Sequence, residues 1–468
     1  MTKIKFGTDG WRAIIAQEFT VENVARVTEA TSKWLLKQHK APTVVLGHDC
    51  RFAGQLFAET AAKVFIANGI KVLLAEDFVS TPMISLGCVK YKTSLGIIIT
   101  ASHNPPSYNG YKIKGHYGGP LGPEYVQEVE DMVPEKAATD WMSVDLKTAK
   151  EKGLLQIVPL EDMYIQHVEE NFDLAAIKSA KLNLAYDAMF GAGQRVMQRL
   201  FPEIHKLHCE NNPGFNGQAP EPIHKNLLEF SNFIKSRGDI SCGLATDGDA
   251  DRIGLYDSKG NFVDSHHIIL LLIHYMVKYK NMGGKVVTAF STTVKIKNMC
   301  DHYGLAHEVV KIGFKYICNI MVAEDVLLGG EESGGIAIKG HIPERDGIWM
   351  GITIWEFMAK TGKTLNELIE EVYAITGTFC FDRNDLHIDE ALKNKVLQNC
   401  QSGAYKQFGK YTVQRVSDLD GHKFFFDDNT WMMIRASGTE PVLRVYAEAA
   451  TMDQANDILA ETKKVLLG

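Results

Sequence analysis

Paired cysteines are missing from this 468-residue chain. Its eight, Cys50, Cys88, Cys209, Cys242, Cys300, Cys318, Cys380 and Cys400, stand far apart with no Cys-x-x-Cys among them. That spacing speaks against a disulfide scaffold and against a zinc site, and fits reduced, mostly buried thiols of a cytosolic protein. Long basic runs are missing too: 50 Lys and Arg face 57 Asp and Glu, for a net charge of −7. General nucleic-acid binding is therefore not expected, and no basic amphipathic helix offers itself to a membrane surface. No stretch approaches the roughly 18 apolar residues needed to span a bilayer, and Met1 to Phe6 lacks the apolar core of a signal peptide. The expectation is a soluble, cytoplasmic protein. Its length exceeds what one hydrophobic core supports, so it should divide into several domains.

What is present is a β-α-β rhythm. A helix follows a Thr20 cap with Val21, Val24, Val27 and Trp34 near one face, then come apolar strands at Val44 to Leu46, Lys71 to Ala75 and Leu95 to Thr100. A polar stretch, 134–153, dilutes the pattern and is expected to be the first boundary. A second α/β unit has strands at Leu182 to Asp187 and Cys242 to Thr246, and a third at Val286 to Phe290 and Val326 to Leu328. After Thr376 strands dominate: Phe379 to Arg383, Tyr411 to Val416, His422 to Phe426, Trp431 to Arg435 and Val442 to Ala447. A closing helix follows with Ala455, Ile458, Leu459, Thr462 and Val465 in phase. The expected architecture is three similar mixed α/β domains plus a C-terminal α+β domain, with bounds 1–150, 151–256, 257–372 and 373–468.

Four loops carry candidate chemistry. Thr100-Ala101-Ser102-His103-Asn104-Pro105 closes the Ile97-Ile98-Ile99 strand, which Asn104 and Pro105-Pro106 forbid from continuing, so Ser102 is expected to be exposed and reachable. By itself such a serine is more often a turn former or helix cap. Asp247-Gly248-Asp249-Ala250-Asp251-Arg252 sets carboxylates at alternate positions after a strand, a donor set for Mg²⁺, Ca²⁺ or Mn²⁺. An EF-hand is excluded, since its sixth position would be Arg252 and its twelfth Ser258. Arg252 beside the acids suggests an anion next to the metal, as in phosphoryl transfer.

Gly330-Glu331-Glu332-Ser333-Gly334-Gly335 suits a polyol, whose neighbouring hydroxyls donate to carboxylates. Adjacent Glu331 and Glu332 point to opposite sides and are poorly arranged for glycosidase chemistry. Arg435-Ala436-Ser437-Gly438-Thr439-Glu440-Pro441, followed by Arg444, can fork two guanidinium groups onto a phosphate, with Ser437, Thr439 and the amides around Gly438 as neutral donors. It lacks the lysine of a Walker P-loop. Gly7-Thr8-Asp9-Gly10-Trp11-Arg12, Lys112 and Lys315 say little singly.

Together these segments resemble the α-D-phosphohexomutase superfamily along essentially the whole chain. Its phosphoserine, metal, sugar and phosphate loops match Thr100 to Pro105, Asp247 to Arg252, Gly330 to Gly334 and Arg435 to Pro441, in the family order. The resemblance implies four domains around a central cleft and a phosphoryl group on Ser102. Mg²⁺ would be held by Asp247, Asp249, Asp251 and a phosphoserine oxygen, with Arg12 and Arg252 as supporting cations. It also implies Lys112 as general acid/base with His103 in support, although a lysine base needs a lowered pKa. Glu331 and Ser333 would meet sugar hydroxyls, Lys315 the sugar or its phosphate, and Arg435, Ser437, Gly438, Thr439 and Arg444 the non-reacting phosphate. The implied partner is a hexose phosphate, with glucose 1,6-bisphosphate as intermediate and activator. The Gly-Glu-Glu-Ser loop and Glu344-Arg345-Asp346-Gly347 resemble phosphoglucomutases, whereas phosphoglucosamine mutases, similar at Gly7 to Gly10, usually read Gly-Glu-Gln-Ser-Gly-His in the sugar loop. Glucose phosphate is expected, then mannose phosphate, then glucosamine phosphate.

Overall fold

Ile97, Ile98 and Ile99 put branched side chains on both faces of one strand, which is stable only in a sheet covered on both sides. In a computed structural model describing residues 3–7, 9–436 and 442–468, all three are fully buried, each burial worth about 1.5–3 kcal/mol. The strand belongs to a six-stranded sheet of β1 (Trp11–Ile14), β2 (Thr43–His48), β3 (Lys71–Ala75), β4 (Leu95–Ile99), β5 (Tyr108–Gly115) and β6 (Leu155–Val158), in the order β1-β5-β4-β2-β3-β6. Parallel pairing joins β4, β2, β3 and β6, while β5 returns antiparallel beside β4 and β1 beside β5. Helix α1 (Val21–Gln38) starts at Thr20, whose hydroxyl accepts from the Asn23 amide at 3.2 Å. Its Val24 and Val27 share a core with Val44, Leu46, Ile97, Ile99 and Phe57, the last from α2 (Gly54–Ala67).

A second sheet repeats this plan with β7 (Leu184–Asp187), β8 (His205–Leu207), β9 (Cys242–Thr246), β10 (Ile253–Tyr256) and β11 (Phe262–Val263), in the order β11-β10-β9-β7-β8. Here β9 pairs parallel with β7 and antiparallel with β10. Strand Val326–Gly330 likewise pairs antiparallel with Ile336–Ile338. The serine, metal and sugar loops thus occupy one topological position, between a buried strand and its antiparallel return.

All three expected boundaries cut through a sheet or a helix. The polar stretch 134–153 contains helix Leu146–Glu151 and leads into β6, so a cut at 150 would remove the last strand of the first sheet. Its Ala149 is buried in the same core; an amphipathic segment with a polar outer face reads locally as a linker. A cut at 256 would detach β11 from β10. The third expected cut, at 372, falls within helix Leu365–Thr376.

The chain clusters into two compact units, one of residues up to Gly284 with Gly313–Leu368, the other of Lys285–Ile312 with Ile369–Gly468. In the second, Lys285–Ala289 pairs parallel with His307–Val310. A five-stranded antiparallel sheet runs Cys380–His387, Val442–Ala449, Trp431–Ala436, His422–Phe425, Arg415–Ser417. The strand expected over Tyr411 to Val416 is split, because Tyr411–Thr412 forms a separate hairpin with Gln407–Phe408. Helix Met452–Leu467 buries Ala455, Ile458, Leu459 and Thr462, and Leu466 in place of Val465. None of the eight cysteines forms a disulfide, and all but Cys209 and Cys380 are buried. No helix among the described residues is long and apolar enough to cross a membrane.

Candidate active site

Ser102 leaves β4 in the left-handed region, at φ 52°. It is completely buried, not exposed as the strand end suggested. The loop after β9 covers it: Ser102 Oγ donates to Asp247 Oδ2 at 2.7 Å, and Gly248 lies so close that a Cβ there would stand 2.6 Å from the Ser102 carbonyl oxygen. Only a residue without a side chain permits that approach. His103 Nδ1 lies 3.4 Å from Ser102 Oγ.

Asp247, Asp249 and Asp251 are fully buried, with one carboxylate oxygen of each within 4.8 Å of the others. Thr81 Oγ1 donates to Asp249 Oδ2, and the Arg252 amide donates to Asp247 Oδ1 at 3.1 Å. Asp249 Oδ1 and Asp251 Oδ1 have no hydrogen-bond partner. Burial, then the charges of Asp249 and Asp251, push the Asp247 carboxyl well above its ordinary range. Three converging carboxylates, with two buried oxygens unsatisfied among them, fit a hard divalent cation, which would relieve that repulsion.

Alternation along β5 sends Lys112 and Lys114 to one face and Tyr111 and Ile113 into the core. Lys112 Nζ meets Asp249 at 2.8 Å, Asp9 at 2.9 Å and Asp251 at 3.1 Å. Burial alone would lower its pKa, but Asp249, Asp251 and Asp9 outweigh burial and raise it. The lowered pKa that a lysine base needs is therefore not found. His103 goes the other way: burial, then Arg252, Arg12, Lys112 and Arg51, hold its pKa well below the usual value and keep the ring neutral. Arg12, on β1, donates from Nη1 to Asn104 Oδ1 at 2.7 Å. Arg252 lies 3.7 Å from Glu221, and its buried Nε is unpartnered.

The sugar-loop residues join this centre through backbone pairing, with Arg252 bridged to Gly335 and the Ile253 amide donating to Gly334 O at 3.1 Å. Glu331 is buried, and its Oε1 accepts from the Gly313 amide at 2.9 Å. Burial raises its pKa to about 7 against the pull of Arg345. Ser333 is half-buried. Lys315, also half-buried, shares a small cavity with Phe6, Asp9, Gly10 and Glu130.

In the other unit Arg435 and Arg444 stand directly opposite each other on paired strands. Arg435 Nε reaches Asp420 at 3.2 Å, and Arg444 Nε lies 3.9 Å from Asp385. Ser437, Gly438 and Thr439 lie outside the described residues.

Residues 3–140, 162–260 and 264–375 match, in order, the families described as phosphoglucomutase/phosphomannomutase alpha/beta/alpha domains I, II and III, and 390–465 matches the C-terminal domain of the same enzymes. The chain belongs to the α-D-phosphohexomutase superfamily. The resemblance drawn from four short loops is borne out across the chain. As a phosphohexomutase it is an intramolecular phosphotransferase, and its architecture is that of the family, three similar α/β domains and a C-terminal one. The phosphoglucomutase/phosphomannomutase of Thermococcus kodakarensis is 29% identical over 98% of both chains. A phosphoglucosamine mutase of Methanococcus maripaludis is 30% identical over 89% of this chain and 90% of its own. A crystal structure assigned as a phosphomannomutase of Thermus thermophilus superposes with a TM-score of 0.88 over the whole of both chains, at 32% identity.

Sequence reading of this phosphohexomutase overlooked Asp9 and Arg345. Arg345 Nη2 bonds Asp251 Oδ2 at 2.7 Å and also Asp9 Oδ2, so it ties the metal loop to the segment carrying Arg12. Asp9 sits between the glycines of Gly7 to Gly10, a cue to a functional turn. Arg345 was visible only as the basic member of an acidic segment. Lys114 pairs with Glu344 at 2.7 Å just beneath.

Proposed function

We propose that this phosphohexomutase interconverts glucose 1-phosphate and glucose 6-phosphate through a phosphoserine at Ser102 and a glucose 1,6-bisphosphate intermediate. The observation that carries the reading is the buried serine hydroxyl 2.7 Å from Asp247, within a carboxylate cluster that has two unsatisfied oxygens. Asp247, Asp249, Asp251 and a phosphoserine oxygen would hold Mg²⁺, which when bound neutralises charge on the transferring phosphoryl. The Ser102 Oγ–P bond breaks as a hydroxyl oxygen of the hexose phosphate bonds to phosphorus. That hydroxyl loses its proton and Ser102 Oγ regains one. After the bisphosphate turns over, the Ser102 hydroxyl attacks the other phosphoryl group, and its proton has two nearby acceptors, Asp247 Oδ2 and His103 Nδ1 at 2.7 and 3.4 Å. His103, held neutral, keeps a ring lone pair with which to take that proton. Lys112 stays protonated, and with Arg12 and Arg252 it stabilises the spread negative charge. Glu331 and Ser333 receive sugar hydroxyls, Lys315 assists at the sugar or its phosphate, and Arg435, Ser437, Gly438, Thr439 and Arg444 grip the phosphate that does not react.

Glucose is favoured by the Glu331-Glu332-Ser333 sequence. Mannose and glucosamine phosphates are supported by the relatives' activities, and a single altered contact at C2 changes preference by about 1–3 kcal/mol. Cysteines that form no disulfide support a cytoplasmic setting. A coupled assay with Mg²⁺ and catalytic glucose 1,6-bisphosphate, run on the three hexose 1-phosphates, tests the reading. Glucose 1-phosphate should give the highest kcat/KM; no isomerised product from any sugar would sink it, and stoichiometric inorganic phosphate would mean hydrolysis. Arg435→Ala should raise KM about 10- to 100-fold through loss of a charge-assisted pair. An unchanged KM would remove Arg435 from the phosphate site.

A further inference from the structure

Asp49 and Arg51 take no part in the roles assigned above. They lie on the turn between β2 and α2 and are only 1% and 3% exposed. The Arg51 guanidinium is directed at main-chain carbonyls of the serine loop: Nη2 donates to Ser102 O and Asn104 O, both at 2.6 Å, and Nη1 to Pro105 O at 2.9 Å and Tyr108 O at 3.0 Å. A planar fork of fixed donors can hold four acceptors at once; a lysine ammonium cannot. Asp49 secures the fork, accepting from the Arg51 amide at 2.9 Å and facing its Nε at 3.4 Å. Its Oδ2 also accepts from Thr100 Oγ1, which accepts from the Ser102 amide at 2.9 Å.

Both peptide groups flanking Ser102 are therefore held from the β2–α2 turn, the N–H through Thr100 and the C=O by Arg51. The residue between them sits at φ 52°, a conformation disfavoured for a side chain bearing Cβ and retained only where its surroundings impose it. None of these bonds involves Oγ, so none changes when Oγ is esterified. A phosphoester beside Asp247, Asp249 and Asp251 brings strong repulsion, yet the same Oγ must be leaving group in one transfer and attacking group in the next.

We propose that Arg51, Asp49 and Thr100 are positioning residues that lock the Ser102 backbone, so that Oγ keeps one place as free hydroxyl and as phosphoester. The proposal rests on the reading of Ser102 as the phosphoryl carrier. Its test uses the full chain with Mg²⁺: glucose 1,6-bisphosphate loads Ser102, intact mass measures the loading, and single-turnover transfer to glucose 1-phosphate is followed beside steady-state kinetics. Arg51→Lys should slow transfer per phosphorylated enzyme about 100-fold and lower kcat equally, the size expected of a misplaced reacting group, with KM within about threefold. Thr100→Val, nearly isosteric, should slow it about tenfold by freeing the Ser102 amide. A merely structural role would lower Tm or the active fraction and leave the rate per phosphorylated enzyme unchanged. Wild-type transfer rates in the folded variants, or losses confined to KM, overturn the proposal. If Arg51→Lys does not fold, Thr100→Val decides alone. Absence of phosphoryl loading in the wild-type chain would instead overturn the carrier reading, so the two failures are distinct.

Discussion

Ser102→Ala should lower mutase turnover by about 10⁴-fold or more, since it removes the atom proposed to carry the phosphoryl group. Stability should hardly change. Alanine loses one hydrogen bond to Asp247, worth about 1 kcal/mol net, and an alanine occupies the same left-handed region at Ala250 in the neighbouring loop. Intact mass after incubation with glucose 1,6-bisphosphate should show an added phosphoryl in the wild type and none in the variant. Substantial turnover in Ser102→Ala would mean that the phosphoryl travels by another route.

Removal of divalent cations should lower turnover by about 10³-fold, the several kcal/mol that a Lewis acid contributes to a phosphoryl transition state, and Mg²⁺ should restore it. A second readout is independent of catalysis. A ligand that binds only the folded state stabilises it by about 2.7 kcal/mol at a hundred times its Kd, so Mg²⁺ should raise Tm. Asp247→Asn is the informative variant because its amide oxygen can still accept from the Arg252 amide while its NH2 donates to the Ser102 hydroxyl. Its metal-free Tm should stay close to wild type, while the Mg²⁺-dependent rise disappears and turnover falls as on chelation. An undiminished rise would take Asp247 out of the ligand set.

The four loops were legible because each is short and contiguous, and because chemistry-bearing residues lie within a few positions of one another. The strands that carry them were legible from local apolarity, as at Ile97 to Ile99. Long-range pairings were not. Arg345 is 336 residues from Asp9 along the chain, and Arg51 is 51 residues from Ser102; no local pattern records such distances. The burial of Ser102 was misjudged for the same reason, because a strand end viewed alone lacks the second loop that closes over it. Lys112 does lie among the carboxylates, but its ionisation depends on three of them from two distant segments, which raise its pKa instead of lowering it.

The amino-acid sequence by itself determined the family and set three carboxylates and a serine in short loops after apolar strands, since these depend on residue type and near-neighbour spacing. Tertiary structure alone decided which carboxylate meets the serine, which basic groups stay charged and which backbone atoms hold the serine still. Those properties depend on burial and on through-space electrostatics, and both come into being only when separate strands and loops converge.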